Sequence, residues 1–145
     1  MKLIFKIAAL FALTSLMTVW AENMTVYKSP TCGCCSEWIK IMEAKGHNVD
    51  TKQPQDLGRV KADLGVPKQL GSCHTAVING YVFEGHIPEA DILAFLNNPP
   101  EGAKGLAVPG MPAMSPGMAP EGAEYKDFDV IGYDEQGKLF LFNRY

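Results

Sequence analysis

Three of the chain's four cysteines fall within four residues, Cys32-Gly33-Cys34-Cys35, and the fourth, Cys73, follows 38 positions later. Thiols crowded in this way suit two kinds of chemistry. One is thiol–disulfide exchange, which needs a nucleophilic sulfur and a resolving one; the other is capture of a soft metal ion by several thiolates at once. Structural cross-linking fits poorly. Four cysteines allow three pairings, yet at most one of the clustered thiols can reach Cys73, and a local bond such as Cys32–Cys35 closes a loop too short to restrain the unfolded chain much.

Ligand softness narrows the metal. Thiolate and thioether groups prefer Cu(I), and no carboxylate lies between Pro30 and Cys35 to suit a harder ion. Zinc is the competitor, held by three cysteines with Cys73 or His74, but zinc motifs bring two separated ligand pairs rather than three sulfurs in one arc. Neighbouring thiolates can also bridge, so four of them could hold several copper ions in a small polynuclear Cu(I)–thiolate cluster. Exchange chemistry would instead use Cys32 as nucleophile and Cys35 as resolving thiol. Cys34 discriminates: it is a spare ligand for a cluster and a source of off-pathway disulfides for an exchange enzyme. His74 is a candidate ligand or supporting residue beside Cys73. Met111 and Met118 are candidate thioether ligands, with Met114 less clearly placed. His86 reads as a capping or packing residue and His47 as ordinary.

These residues must be positioned by the elements around them. Residues 24–28 alternate as a short strand, and Trp38, Ile39 and Met42 recur at helical spacing up to Gly46, which sets the cysteines between a strand and a helix amino terminus. Unpaired N–H groups there favour thiolate, with Cys32 best placed, but a gain of at most about 2 kcal/mol lowers a thiol pKa by under about 1.5 units. A bound cation is the natural remaining source of stabilisation. Residues 47–51 read as a second strand, and Asp56 caps a short helix through Leu57, Val60 and Leu64. Residues 75–78 and 81–84 flank the turn Asn79-Gly80. Pro88 suits the first position of a helix bearing Ile92, Leu93, Phe95 and Leu96, ended by Pro99-Pro100. Residues 101–123 hold five Gly and four Pro and read as a long loop laid on the body of the domain, and 124–145 as a closing hairpin.

Composition agrees with one modest domain: 145 residues, 47% hydrophobic and 20% charged. The net charge of −3, with no run of five like charges, argues against nucleic acid as a partner. Residues 1–21 read as a signal peptide. Lys2 and Lys6 flank the apolar run 7–13, and Val19-Trp20-Ala21 ends in the small residue that cleavage requires. Thr14, Ser15 and Thr18 interrupt what would otherwise be a membrane anchor. Cleavage after Ala21 leaves residues 22–145 with 11 basic and 16 acidic residues, a net charge of −5. The mature chain is then expected outside the reducing cytosol and free of the membrane.

The order strand, helix, strand, helix, hairpin, helix is that of a thioredoxin-like α/β fold, with Cys32-Gly33-Cys34-Cys35 in the place of its Cys-x-x-Cys site. The segments Tyr27-Lys28-Ser29-Pro30-Thr31-Cys32-Gly33-Cys34-Cys35, Ser72-Cys73-His74-Thr75-Ala76, Gly85-His86-Ile87-Pro88 and Val108-Pro109-Gly110-Met111-Pro112 resemble the signatures of the CopG-type exported copper-resistance proteins. Those are unrelated to the ribbon-helix-helix repressors of the same name. The resemblance spans residues 24–145 and implies copper as ligand and a role in copper resistance and homeostasis in the cell envelope. Copper chaperones or efflux components would be partners of such a protein. It carries over the four thiols, with Met111 and Met118 matching the family's Gly-Met-Pro and Pro-Gly-Met steps. Thioredoxin-like topology further implies that the loop before the third strand faces the cysteine turn, with Cys73 where a proline is usual.

Overall fold

The computed structural model describes residues 21–145, so the expected signal peptide lies, but for Ala21, outside the described residues. Its elements run β1 (Asn23–Lys28), α1 (Gly33–Ala44), β2 (Asn48–Lys52), α2 (Leu57–Asp63), β3 (His74–Ile78), β4 (Tyr81–Glu84), α3 (Glu89–Asn97), β5 (Ala103–Ala107), β6 (Asp129–Asp134) and β7 (Leu139–Arg144). The fold is α/β, as the hydrophobic periods predict.

All seven strands form one sheet in the order β2-β1-β3-β4-β5-β6-β7. β1 pairs with β2 in parallel and with β3 antiparallel. The β3–β4 hairpin turns at Asn79 (φ 52°) and Gly80 (φ 81°), two left-handed positions that match the twist of the flanking strands.

Side chains alternate across this sheet and so sort into two cores. On one face Val26, Ala76, Ile78 and Phe83 pack against Trp38, Ile39 and Met42 of α1 and Ile92 and Phe95 of α3. On the other face Leu70, Ala107 and Tyr133 form a smaller cluster. Lys61 of α2 reaches this second face, bonding Thr75 and Glu84. No helix of the described residues is long and apolar enough to cross a membrane.

Two expectations require correction. The segment 101–123 is not all loop: residues 103–107 form β5, parallel to β4 and antiparallel to β6, which joins the closing hairpin to the rest of the sheet. Gly105 hides the strand in the sequence, yet a Cβ there would overlap the Val82 backbone carbonyl, so the close approach of β4 and β5 requires glycine. Pro88 stands just outside α3, at its N-cap, rather than at its first helical position.

Candidate metal and redox centre

The carboxyl end of β1 and the first turn of α1 carry the clustered cysteines. Cys32 is the N-cap of α1, its Sγ accepting from the Cys35 amide at 3.3 Å, so the sulfur replaces the oxygen of an ordinary cap. Cys32 and Cys35 are joined in a disulfide, with Cα atoms 5.4 Å apart, while Cys34 and Cys73 are free thiols. Cys34 Sγ stands 3.5 Å from Cys32 Sγ and 3.8 Å from Cys73 Sγ. All four sulfurs lie within 4.8 Å of one another. The distant cysteine therefore joins its three companions.

Cys73 is brought there by a buried polar brace. Glu84 accepts from the Ser72 amide at 2.7 Å, from Thr75 Oγ1 at 2.5 Å and from Lys61 Nζ at 2.5 Å, and it is fully buried. This carboxylate fixes the backbone immediately before Cys73. Ser72 Oγ donates in turn to the Gly110 carbonyl, tying the segment after β5 to the same spot.

A second group overlaps the first: Cys73, His74 and His86, again with ligand atoms within 4.8 Å. His86 was expected only to cap or pack. It stands instead with Nε2 2.9 Å from Cys73 Sγ and Nδ1 2.8 Å from the Pro116 carbonyl. That carbonyl can only accept, so Nδ1 carries the proton and, in a neutral ring, Nε2 takes the hydrogen bond from the Cys73 thiol. His74 Nδ1 is 3.4 Å from the same sulfur, whereas its Nε2 is buried with no hydrogen-bond partner among the described residues. The His74 ring lies between Trp38 and His86, with centroids 4.6 and 5.0 Å away.

Burial dominates the electrostatics. It pushes the Cys73 thiol up to about 12, with the neighbouring Cys34 sulfur adding to the effect. It holds His74 well below the usual imidazole range, helped by His86, Lys61 and Lys28, and lowers His86 against the opposing pull of the Pro116 carbonyl. Lys28 is itself buried; it pairs across the sheet with His74, bonds the Ser29 carbonyl, and has no carboxylate partner among the described residues.

The segment after β5 lies across this centre. Pro116 contributes the carbonyl on His86, and Gly117 (φ 82°) packs so closely that a Cβ would sit 2.9 Å from the Cys34 carbonyl and 2.8 Å from the Trp38 amide. Met118 follows it, partly buried, and Met114 is likewise partly buried. Met111 is 55% exposed.

The family profile described as a protein of unknown function, DUF411, matches residues 70–118, which hold Cys73, both histidines and the three methionines. No curated protein matches. Two solved structures are similar to this chain over nearly their whole length: forms 2 and 1 of the copper resistance protein CopG. Each is 40% identical with a TM-score of 0.79, covering 87% of this chain and 99% and 98% of its own.

Proposed function

The chain belongs to the CopG family of copper resistance proteins, and from that premise we propose that it is exported to the periplasm and there binds Cu(I) through Cys32, Cys34, Cys35 and Cys73. The observation that carries this reading is the convergence of the four sulfurs within 4.8 Å. Soft sulfur donors with no carboxylate among them suit Cu(I), and sulfurs this close can each bridge two ions, so a polynuclear cluster is the favoured form.

The cation does what the helix terminus cannot. In the metal-free site burial keeps Cys73 as a thiol, and a bound ion reverses that preference by taking the proton's place. His74 and His86 supply imidazoles at the rim shared with Cys73. Met111 and Met118, on the segment that crosses the site, are proposed thioether ligands of the loaded state. The thioredoxin-like reading of the scaffold is supported by the strand order β2-β1-β3-β4, with only β1 and β2 parallel.

The Cys32–Cys35 disulfide favours a second, redox role. Two thiols reduce two Cu(II) to two Cu(I), forming one disulfide and releasing two protons; the reverse returns the thiols. The same pair would serve a thiol–disulfide oxidoreductase with Cys32 attacking and Cys35 resolving. Anaerobic Cu(I) titration of the reduced protein, with X-ray absorption at the copper edge, tests the main reading. More than one sulfur-ligated copper per chain is expected, and no more than one would remove the cluster. Cys34→Ser is expected to lower that count; full copper binding with normal disulfide exchange in this variant would favour the oxidoreductase.

A further inference from the structure

A second group of ligating atoms stands at the other end of β1, about 20 Å from the sulfurs for six residues at about 3.3 Å each. The Glu22 backbone N–H donates to His47 Nδ1 at 3.0 Å, and His47 Nε2 is 2.8 Å from Glu89 Oε1. His47 is buried, so its tautomer is set: Nδ1 offers a lone pair to Glu22 and Nε2–H donates to the carboxylate. The remaining polar groups of Glu22 are also held, its carbonyl by the Asn48 amide at 3.0 Å and its carboxylate by Asn79 Nδ2 at 2.9 Å. Two segments, residues 47–48 and the β3–β4 turn, thus fix one residue at the very position where signal-peptide cleavage is expected.

Cleavage changes what that nitrogen is. In the precursor it is a peptide amide with no available lone pair; after cleavage behind Ala21 it is a primary amine. We propose that the mature amino terminus and His47 Nδ1 together form a Cu(II) site separate from the thiolate cluster, created by processing. The inference rests on the cleavage reading and on copper as the protein's cargo.

The chemistry matches that ion. Amine and imidazole nitrogens are borderline donors suited to tetragonal Cu(II) rather than to the thiophilic Cu(I). Two nitrogens bound at right angles at about 2.0 Å lie about 2.8 Å apart, close to the 3.0 Å seen here, so the spacing suits a shared copper once both lone pairs turn from the N–N line toward the ion. A metal-bound histidine ordinarily donates its other N–H to a carboxylate, and Glu89 is already in that role. The charged groups facing the site are the Glu22 and Glu89 carboxylates and Lys45, whose Nζ is 3.5 Å from Glu89 Oε2, leaving one net negative charge to meet a dication. The amine proton displaced on binding passes to solvent, and no electron is transferred.

The mature chain beginning at Glu22 should be loaded anaerobically with Cu(I), which is silent in electron paramagnetic resonance, and then titrated with aqueous Cu(II). An axial Cu(II) signal with superhyperfine structure from two nitrogens is expected, without the strong charge-transfer absorption of a sulfur-bound Cu(II). Retaining Ala21 as one extra residue leaves the fold untouched but turns the Glu22 nitrogen back into an amide, and should weaken Cu(II) binding at least tenfold. His47→Gln should do likewise, while Cu(I) uptake stays unchanged in both. A signal that is absent, sulfur-bound, or equally strong with Ala21 retained would overturn the proposal. Failure of Cu(I) uptake in the starting protein would count against the thiolate cluster alone.

Discussion

His86 Nε2 stands 2.9 Å from Cys73 Sγ because the two residues face each other across the open end of the β3–β4 hairpin. The register set by the Asn79-Gly80 turn pairs Ile78 with Tyr81 and Thr75 with Glu84. Two more steps outward, through the Gly85 amide donating to the His74 carbonyl, bring Cys73 opposite His86. One tight turn therefore places an imidazole on the distant thiol, and the Pro116 carbonyl fixes its tautomer.

Replacing His86 with Ala removes a donor from the rim of the site and leaves the buried Pro116 carbonyl unpaired. Copper affinity is expected to fall by about 10- to 100-fold, the range for groups that support a metal ligand, read by competition with a chromophoric Cu(I) chelator. Urea unfolding of the metal-free variant should show a loss of about 1–3 kcal/mol for the orphaned carbonyl. Unchanged copper affinity would leave His86 a purely structural residue.

Gly117→Ala and Gly110→Ala make a matched pair. Both glycines have positive φ, 82° and 67°, but the new methyl group meets the Cys34 carbonyl and Trp38 amide at position 117 and open space at position 110. The strain common to both is about 1–2 kcal/mol. Gly117→Ala should cost more than that in urea unfolding and also weaken Cu(I) binding, because the segment must lift off α1. Equal losses in the two variants would show that the segment is not clamped to the helix.

Glu84→Gln tests the brace beneath Cys73. The amide cannot accept from Ser72, Thr75 and Lys61 together, and Lys61, 16% exposed, loses its counter-charge. Breaking a buried pair in this way costs about 3–5 kcal/mol. Global stability should drop by that order, and Cu(I) affinity should drop with it as Ser72 and Cys73 lose their fixed position. Glu84→Asp, which keeps the charge, should recover part of both.

Stability should depend on pH in two limbs. His74 and His86 are held neutral by burial, below the usual imidazole range, so below about pH 6.5 the unfolded chain binds protons that the folded one refuses, and metal-free stability falls with pH. At the other end Cys73 is raised from 9.0 to about 12, and Tyr133 and Tyr145 are also raised. From about pH 9 upward the unfolded chain releases protons first, and stability falls again as pH rises. Thermal unfolding of the metal-free protein with its Cys32–Cys35 disulfide intact, across pH 5–11, checks both limbs. Copper loading should flatten the alkaline limb where it stems from Cys73, since a copper-bound thiolate no longer titrates.

The local elements were legible because their signals are local. The spacing of Trp38, Ile39 and Met42 marks α1, Asn79-Gly80 marks the hairpin, and Asp56 caps α2, its carboxylate accepting from the Arg59 amide at 2.9 Å. β5 was not legible. It is five residues long and carries a glycine at its centre, and what makes it a strand is the exposed edges of β4 and β6 that it joins. His86 was within reach of the sequence through the hairpin register, which needs only a count outward from the turn. Burial of His47 between the Glu22 amide and Glu89 was not, because its partners come from segments 25 and 42 residues away.

Sequence alone determined the donor chemistry: four thiols, no carboxylate among the clustered three, and a helix that starts within the cysteine cluster are properties of residue type and of spacing over a few positions. Tertiary structure decided convergence. Cys73 reaches the other sulfurs only because β3 pairs with β1 and a buried Glu84 fixes the backbone before it. The imidazoles and the crossing segment join them by the same long-range pairing. Side-chain identity sets which ion a group can hold, whereas holding it needs several groups within a few ångströms, and for residues far apart in the chain only the packed sheet supplies that proximity.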